Sequence, residues 1–172
     1  MLSRALFIGR FQPLHNGHLD ALEQIFAHPD HFDEVVIVIG SAENDFLPQD
    51  PCTAGERYEM LITALSEAGI SREKIWILPV RNIDRSSLWP AHVASMCPDF
   101  SAVFSGSALI RLLWTESFGT KKKVYPLTRR LPVSSTLVRE KIARNEDISA
   151  LVPVSVVQFL KNHRVAERFS AS

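Results

Sequence analysis

Only two cysteines, Cys52 and Cys97, occur in 172 residues, and they form no Cys-x-x-Cys pair. That excludes a zinc ribbon and a disulfide scaffold, and points to a reducing, cytoplasmic setting. Net charge is missing as well, because nineteen basic residues balance nineteen acidic ones. No overall field draws a polyanion such as a nucleic acid or an anionic membrane surface, so any phosphate binding must be local. Long apolar runs are also absent. The run from Ala5 to Ile8 behind Arg4 ends at Gly9-Arg10, too short for the core of a signal peptide. No stretch approaches the roughly 18 apolar residues of a membrane span.

Three catalytic signatures are missing too. Without Gly-x-x-x-x-Gly-Lys-Ser/Thr the chain is not an ordinary P-loop kinase or ATPase. Without Gly-x-Gly-x-x-Gly after the first strand, hydride transfer with a bound dinucleotide is not expected. Without a Gly-x-Ser-x-Gly elbow, acyl transfer has no placed nucleophile.

What is present alternates. Ala5 to Ile8 and Glu34 to Ile39 are short apolar, β-branched runs that each end in glycine, and they read as strands buried on both faces. Between them Leu19, Leu22, Ile25 and Phe26 recur at helical spacing, predicting a helix that ends before Pro29. Ser41 to Pro51 is polar and aperiodic, so a loop of functional length is expected. Thr53 and Glu56 form a capping box ahead of Leu61, Ile62, Leu65 and Ala68, with Gly69 as the stop. Strands follow at Lys74 to Val80, Ala102 to Phe104 and Lys123 to Tyr125. Helices are expected at Leu88 to Met96, Ala108 to Glu116, Thr136 to Arg144 and, behind Pro153, Ser155 to His163. Such alternation implies one α/β domain over 1–172, a doubly wound parallel sheet in three layers, with a helical C-terminal part at about 136–165. The tail from Ala166 to Ser172 reads as frayed.

Ligands of such sheets bind beyond the carboxyl ends of the strands, and the polar motifs fall there. Gly9-Arg10-Phe11-Gln12-Pro13-Leu14-His15-Asn16-Gly17-His18 opens a helix directly after the first strand. His15 and His18, three apart, share a face at a helix start, where free amides and the helix dipole attract an anion. Arg10 adds a planar fork suited to phosphate. Two plainer readings stay open: metal ligation, which needs further ligands, and capping, with the imidazoles tied to the backbone. His28-Pro29-Asp30-His31 reads as a solvated turn. The second motif is Ser134-Ser135-Thr136-Leu137-Val138-Arg139, which alone is an ordinary N-cap. Paired with the histidine motif, it supplies a second helix start able to hold the other side of a triphosphate.

These two stretches, at this separation, resemble the signatures of the nucleotidyltransferase superfamily of Rossmann-like fold. Over nearly its whole length the chain is similar to the archaeal-type nicotinamide-nucleotide adenylyltransferases. Gly40-Ser41-Ala42, Asp50 to Arg57, Leu88-Trp89 and Phe104-Ser105-Gly106 carry the likeness further. The resemblance implies transfer of AMP from ATP to nicotinamide mononucleotide with release of pyrophosphate. It implies catalytic roles for His18, His15, Arg10 and Arg139, with His18 nearest the α-phosphate. Gly9, Phe11, Gln12, Gly17, Ser134, Ser135 and Thr136 would bind ATP, while Gly40, Ser41 and Trp89 would bind the mononucleotide. Magnesium would arrive on the ATP phosphates rather than in a protein cage, and a homo-oligomer, up to a hexamer, is implied. Gln49, Cys52, Ser86 and Ser107 depart from the family pattern. Gln49 stands where a basic residue is usual, so one phosphate contact is either lost or supplied elsewhere, for example by Arg81 or Arg85. Rival readings are a phosphopantetheine or riboflavin phosphate adenylyltransferase, a cytidylyltransferase, and a nucleotide sensor without activity.

Overall fold

Glu34 to Ile39 consists almost wholly of β-branched residues, and in the computed structural model, which describes residues 2–169, all but its first residue is buried. This is strand β2, and it pairs in parallel with β1 (Arg4–Gly9) and β3 (Ile75–Pro79). On the other side of β1 lie β4 (Ala102–Ser105) and then β5 (Lys123–Pro126), giving the order β3-β2-β1-β4-β5. All pairings are parallel. The direction of winding reverses between β1 and β4, and a crevice opens there above the strand ends.

Alternate side chains of each strand enter opposite layers. Phe7, Val35, Ile37 and Phe104 face a core shared with α1 (Asn16–Phe26), α2 (Ala54–Glu67), α5 (Ser135–Ala143) and α6 (Val154–Asn162). Leu6, Val36, Val38 and Val103 face a second core closed by α3 (Trp89–Met96) and α4 (Ala108–Phe118). The expected three-layer α/β architecture is therefore present, with element ends shifted by a residue or two. The Thr53 and Glu56 capping box forms with both bonds, at 3.2 and 2.8 Å, and Gly69 takes the left-handed φ of 70° that ends α2.

Two expectations are corrected. Residues Val165–Phe169 are not frayed: they form a 3-10 turn, because Arg168 reaches both oxygens of Glu56 at 2.6 and 2.8 Å and the Pro51 carbonyl at 2.6 Å. Residues 170–172 lie outside the described residues. His28 is not simply solvated, since its ring packs 4.3 Å from Tyr125 and 5.2 Å from Phe104.

The loops above the strands are held by a residue from α2. Arg57 is completely buried. Its Nη1 donates to the Arg10 and Gly40 carbonyls at 3.1 and 2.9 Å, and Nη2 to those of Ser41, Asn44 and Ala42 at 3.1, 3.3 and 3.5 Å. Its Nε donates to the Thr53 carbonyl at 3.2 Å. The planar fork thus ties the exit turn of β1 to that of β2. Arg57→Met keeps bulk but strands these carbonyls, and is expected to lower unfolding free energy by about 3 kcal/mol or more in urea titrations. An unmoved midpoint would show that the clamp is dispensable.

Candidate active site

The exit turn of β1 packs tightly. A Cβ on Gly9 would lie 2.7 Å from the Phe11 ring, and one on Gly17 would lie 3.1 Å from both the His15 ring and Val133 Cγ1. The first contact requires the Phe11 ring to shift and the second is tight, so both positions favour glycine. His15 is the N-cap of α1, with extended φ and ψ, rather than a residue of its first turn. Its ring nevertheless stacks on that of His18, centroids 3.7 Å apart, and Phe11 packs against His18 at 4.7 Å.

The His15 backbone N–H donates to His18 Nδ1 at 3.1 Å. A nitrogen that accepts carries no proton, so the neutral His18 ring bears its hydrogen on Nε2. Capping therefore occupies one nitrogen and leaves the other as a donor. His15 Nδ1 is buried without a partner among the described residues. Burial, reinforced by the nearby Arg129 charge, brings the His15 pKa down to about 4. Burial and then His15 itself hold His18 well below its ordinary value. Both rings are therefore neutral near pH 7.

Fewer amides are free than the sequence suggests. The Asn16 N–H donates to the Leu151 carbonyl at 2.9 Å and that of His18 to the His15 carbonyl at 2.8 Å. Gly17 is left as the open donor of that turn among the described residues.

The two motifs meet. Ser135 Oγ donates to the Pro13 carbonyl at 2.9 Å, and Arg139 Nη1 donates to the Gln12 carbonyl at 2.7 Å. Beside this junction a cleft of about 810 Å³ opens over the strand ends. Gly9, Arg10, His15, Gly17, His18 and Ser134 line it, as do Gly40, Ser41 and Trp89. Gln49, Arg81 and Arg85 are exposed and do not.

Of the residues expected to touch ligand, Gln12, Phe11 and Arg139 are buried, Ser135 is half-buried and Thr136 is exposed, and four of the five bond within the protein. Gln12 is fully buried and reads the backbone of Cys52 with both amide atoms, at 2.7 and 2.9 Å. That pairing uses only the main chain of Cys52, whose side chain is buried in the core. Phe11 fills core. The single Ser135 proton is spent on Pro13, and Thr136 Oγ1 accepts from Arg139 Nη2 at 3.2 Å. Arg139 is 9% exposed, sits behind the cleft wall, and is close enough to Arg10 for that like charge to help lower its pKa, after burial.

Further residues line the cleft, Asn82, Arg129 and Arg130 from outside the motifs and Ser105 to Ser107 from the stretch that carries part of the family likeness. Asn82, at the end of β3, donates to Ser41 Oγ at 2.9 Å. Ser105 to Ser107 end β4, and Arg129 and Arg130 follow β5. Their shared signal in the sequence is position, since each follows a predicted strand. Ser86 and Ser107, two of the departures, are also in the wall. Trp89 is 9% exposed, with its Nε1 unpartnered, so it serves the second core and the cleft together. Among the described residues no group of three or more His, Cys, Asp or Glu side chains is placed to hold a metal ion.

A cleft at the switch point of a doubly wound sheet, rimmed by helix starts, arginines and an indole, defines a nucleotide-binding α/β protein. Comparison with known proteins narrows this. Residues 6–141 match the family model described as cytidylyltransferase-like. A nicotinamide-nucleotide adenylyltransferase of Pyrococcus furiosus is 42% identical over 97% of this chain and 87% of its own length. One from Pyrobaculum aerophilum is 41% identical over 97% and 92%. A solved bifunctional NMN adenylyltransferase/ADP ribose pyrophosphatase from Francisella tularensis superposes with a TM-score of 0.78 at 22% identity; the chain spans 97% of itself but 52% of that protein. A second structure of such a protein from Francisella tularensis, with a TM-score of 0.77 at 22% identity, is complexed with AMP and a manganese ion. The chain belongs to the cytidylyltransferase-like family and, within it, to the archaeal-type nicotinamide-nucleotide adenylyltransferases. No helix among the described residues is long and apolar enough to cross a membrane.

The neutral histidines set a pH dependence. Unfolded imidazoles titrate near 6.5, whereas His15 in the fold titrates near 4. Between these values the unfolded chain binds protons that the folded chain refuses, so stability is full above about 6.5 and falls as pH drops, by up to about 1.4 kcal/mol per unit per histidine. Urea midpoints measured from about pH 7 to about pH 5 should fall for the native protein and fall less for His15→Gln. Parallel curves would mean that His15 is not held neutral.

Proposed function

We propose that the chain transfers AMP from ATP to nicotinamide mononucleotide, forming NAD and releasing pyrophosphate. The observation that carries this reading is the junction of the two motifs beside one cleft. His15, His18, Arg10 and Ser134 line that cleft together with Trp89, Gly40 and Ser41.

An oxygen of the mononucleotide 5′-phosphate attacks the α-phosphorus of ATP in line. The bond from that phosphorus to the β-phosphate oxygen breaks, and pyrophosphate leaves with the electron pair. A phosphate monoester is ionised near neutrality, so no strong base is needed. His18 Nε2–H, a preorganised donor in a desolvated place, bonds the oxygens of the α-phosphate as their charge develops. Gly17 N–H and Arg10 hold the phosphates. Arg139, braced on Gln12 and Thr136, supports that turn and adds positive potential behind Arg10. Asp20 is the one carboxylate lining the cleft among the described residues, so a magnesium ion fits as a passenger on the ATP phosphates, where it would neutralise their charge. Trp89 gives the pyridinium ring an indole face. The cytosol suits a protein with two unbridged cysteines. A homo-oligomer, up to a hexamer, is the assembly we assign; sedimentation of a monomer at working concentration would reject it.

Pyrophosphate release with ATP and a panel of acceptors, nicotinamide mononucleotide, phosphopantetheine and riboflavin phosphate among them, tests the substrate directly. Release with the first alone is expected; preference for another, or for CTP over ATP, would reject the assignment. His18→Ala should lower kcat about a hundredfold or more while the protein remains folded. Near-normal turnover would remove His18 from the chemistry. Trp89→Leu keeps apolar bulk and should raise KM for the mononucleotide about tenfold with KM for ATP unchanged. An unmoved mononucleotide KM refutes the stacking role.

A further inference from the structure

Three guanidinium groups line the cleft, and two of them already have carboxylate partners. Arg10 Nη1 lies 3.4 Å from Asp50, and Arg130 Nη1 lies 3.5 Å from Asp20. Arg129 has none among the described residues. Its Nε donates to the Leu131 carbonyl at 3.4 Å and its Nη2 to the Val133 carbonyl at 3.1 Å. Those two bonds orient the fork and leave three of its five N–H donors uncommitted.

Position follows from Val133, whose Cγ1 would touch a Cβ on Gly17. Arg129 therefore stands opposite the start of α1, and its charge is felt at His15. The segment that presents it is anchored from α1. Gln24 donates to the Thr128 carbonyl at 2.8 Å and accepts from the Thr128 N–H at 2.9 Å, while Asp20 holds the Gln24 amide at 2.8 Å. A solvated arginine tip would not need a fixed backbone pair directly before it.

We infer that Arg129 binds the terminal phosphates of the nucleoside triphosphate, the part that leaves as pyrophosphate, and supplies the cation that Gln49 does not. This rests on the cleft being a triphosphate site and deepens that reading. The neutral histidine pair offers donors without charge, so an unpaired guanidinium beside it is the strongest free attraction for a polyanion in the wall.

Calorimetric titration with inorganic pyrophosphate tests this without any acceptor. Arg129→Gln should weaken binding about tenfold or more, and Arg129→Lys, which keeps the charge but not the fork, should recover part of the loss. KM for ATP should rise in parallel in Arg129→Gln, with KM for the mononucleotide unmoved. Wild-type affinity for pyrophosphate in both variants, or no binding by the native protein, overturns the inference. If Arg129→Gln loses pyrophosphate while the native protein transfers AMP to no mononucleotide, the role of Arg129 stands and the acceptor assignment falls.

Discussion

The site depends on one buried cation. Arg57 binds the carbonyls at the exits of β1 and β2, and each exit contains a non-glycine residue at positive φ, Phe11 at 53° and Ser41 at 50°. Such conformations cost on the order of 1–3 kcal/mol and persist only where the surroundings over-determine them. The guanidinium fork does so, because its planar donors converge on carbonyls of both turns at once. One turn then presents the histidine motif and the other presents Gly40 and Ser41, so a single residue from α2 registers the two halves of the cleft against each other. Its unpaired charge, spread over carbonyl dipoles, lies beneath both turns.

Electrostatic design is local in this chain. Its formal net charge is zero, yet the cleft wall carries three arginines against one aspartate. Burial keeps the histidines neutral, and in the proposed reaction they are directed donors that need not shed a tight water shell before meeting phosphate. The arginines supply attraction and the imidazoles supply direction. In the proposed reaction this division sets charge where the triphosphate would enter and hydrogen bonds where phosphorus would react.

Much of the architecture was legible from residue order alone. Buried strands showed as β-branched runs closed by glycine, and the capping box at Thr53 and the stop at Gly69 marked α2 with no tertiary information. The histidine motif was legible too, since Gly9 answers to Phe11 and Gly17 in part to His15, both two residues away. What the sequence hid were partners remote in the chain. Gln12 pairs with residue 52, Ser135 with Pro13 and Arg139 with Gln12, and each of these polar side chains satisfies a backbone group that no local pattern reveals. A helix start rich in hydroxyls looks the same whether it faces a ligand or another loop. Arg57, Arg129 and Arg168 were hidden for the same reason, as only the fold shows which arginine commits its whole fork to carbonyls, which finds a carboxylate and which keeps donors over.

The account stands most directly on where a triphosphate lies. A crystal structure with a non-reactive ATP analogue should show its α-phosphate beside His18 Nε2, between the start of α1 and the segment from Thr128 to Ser134. A triphosphate bound elsewhere, or with only its base in the cleft and its phosphates in solvent, would contradict it.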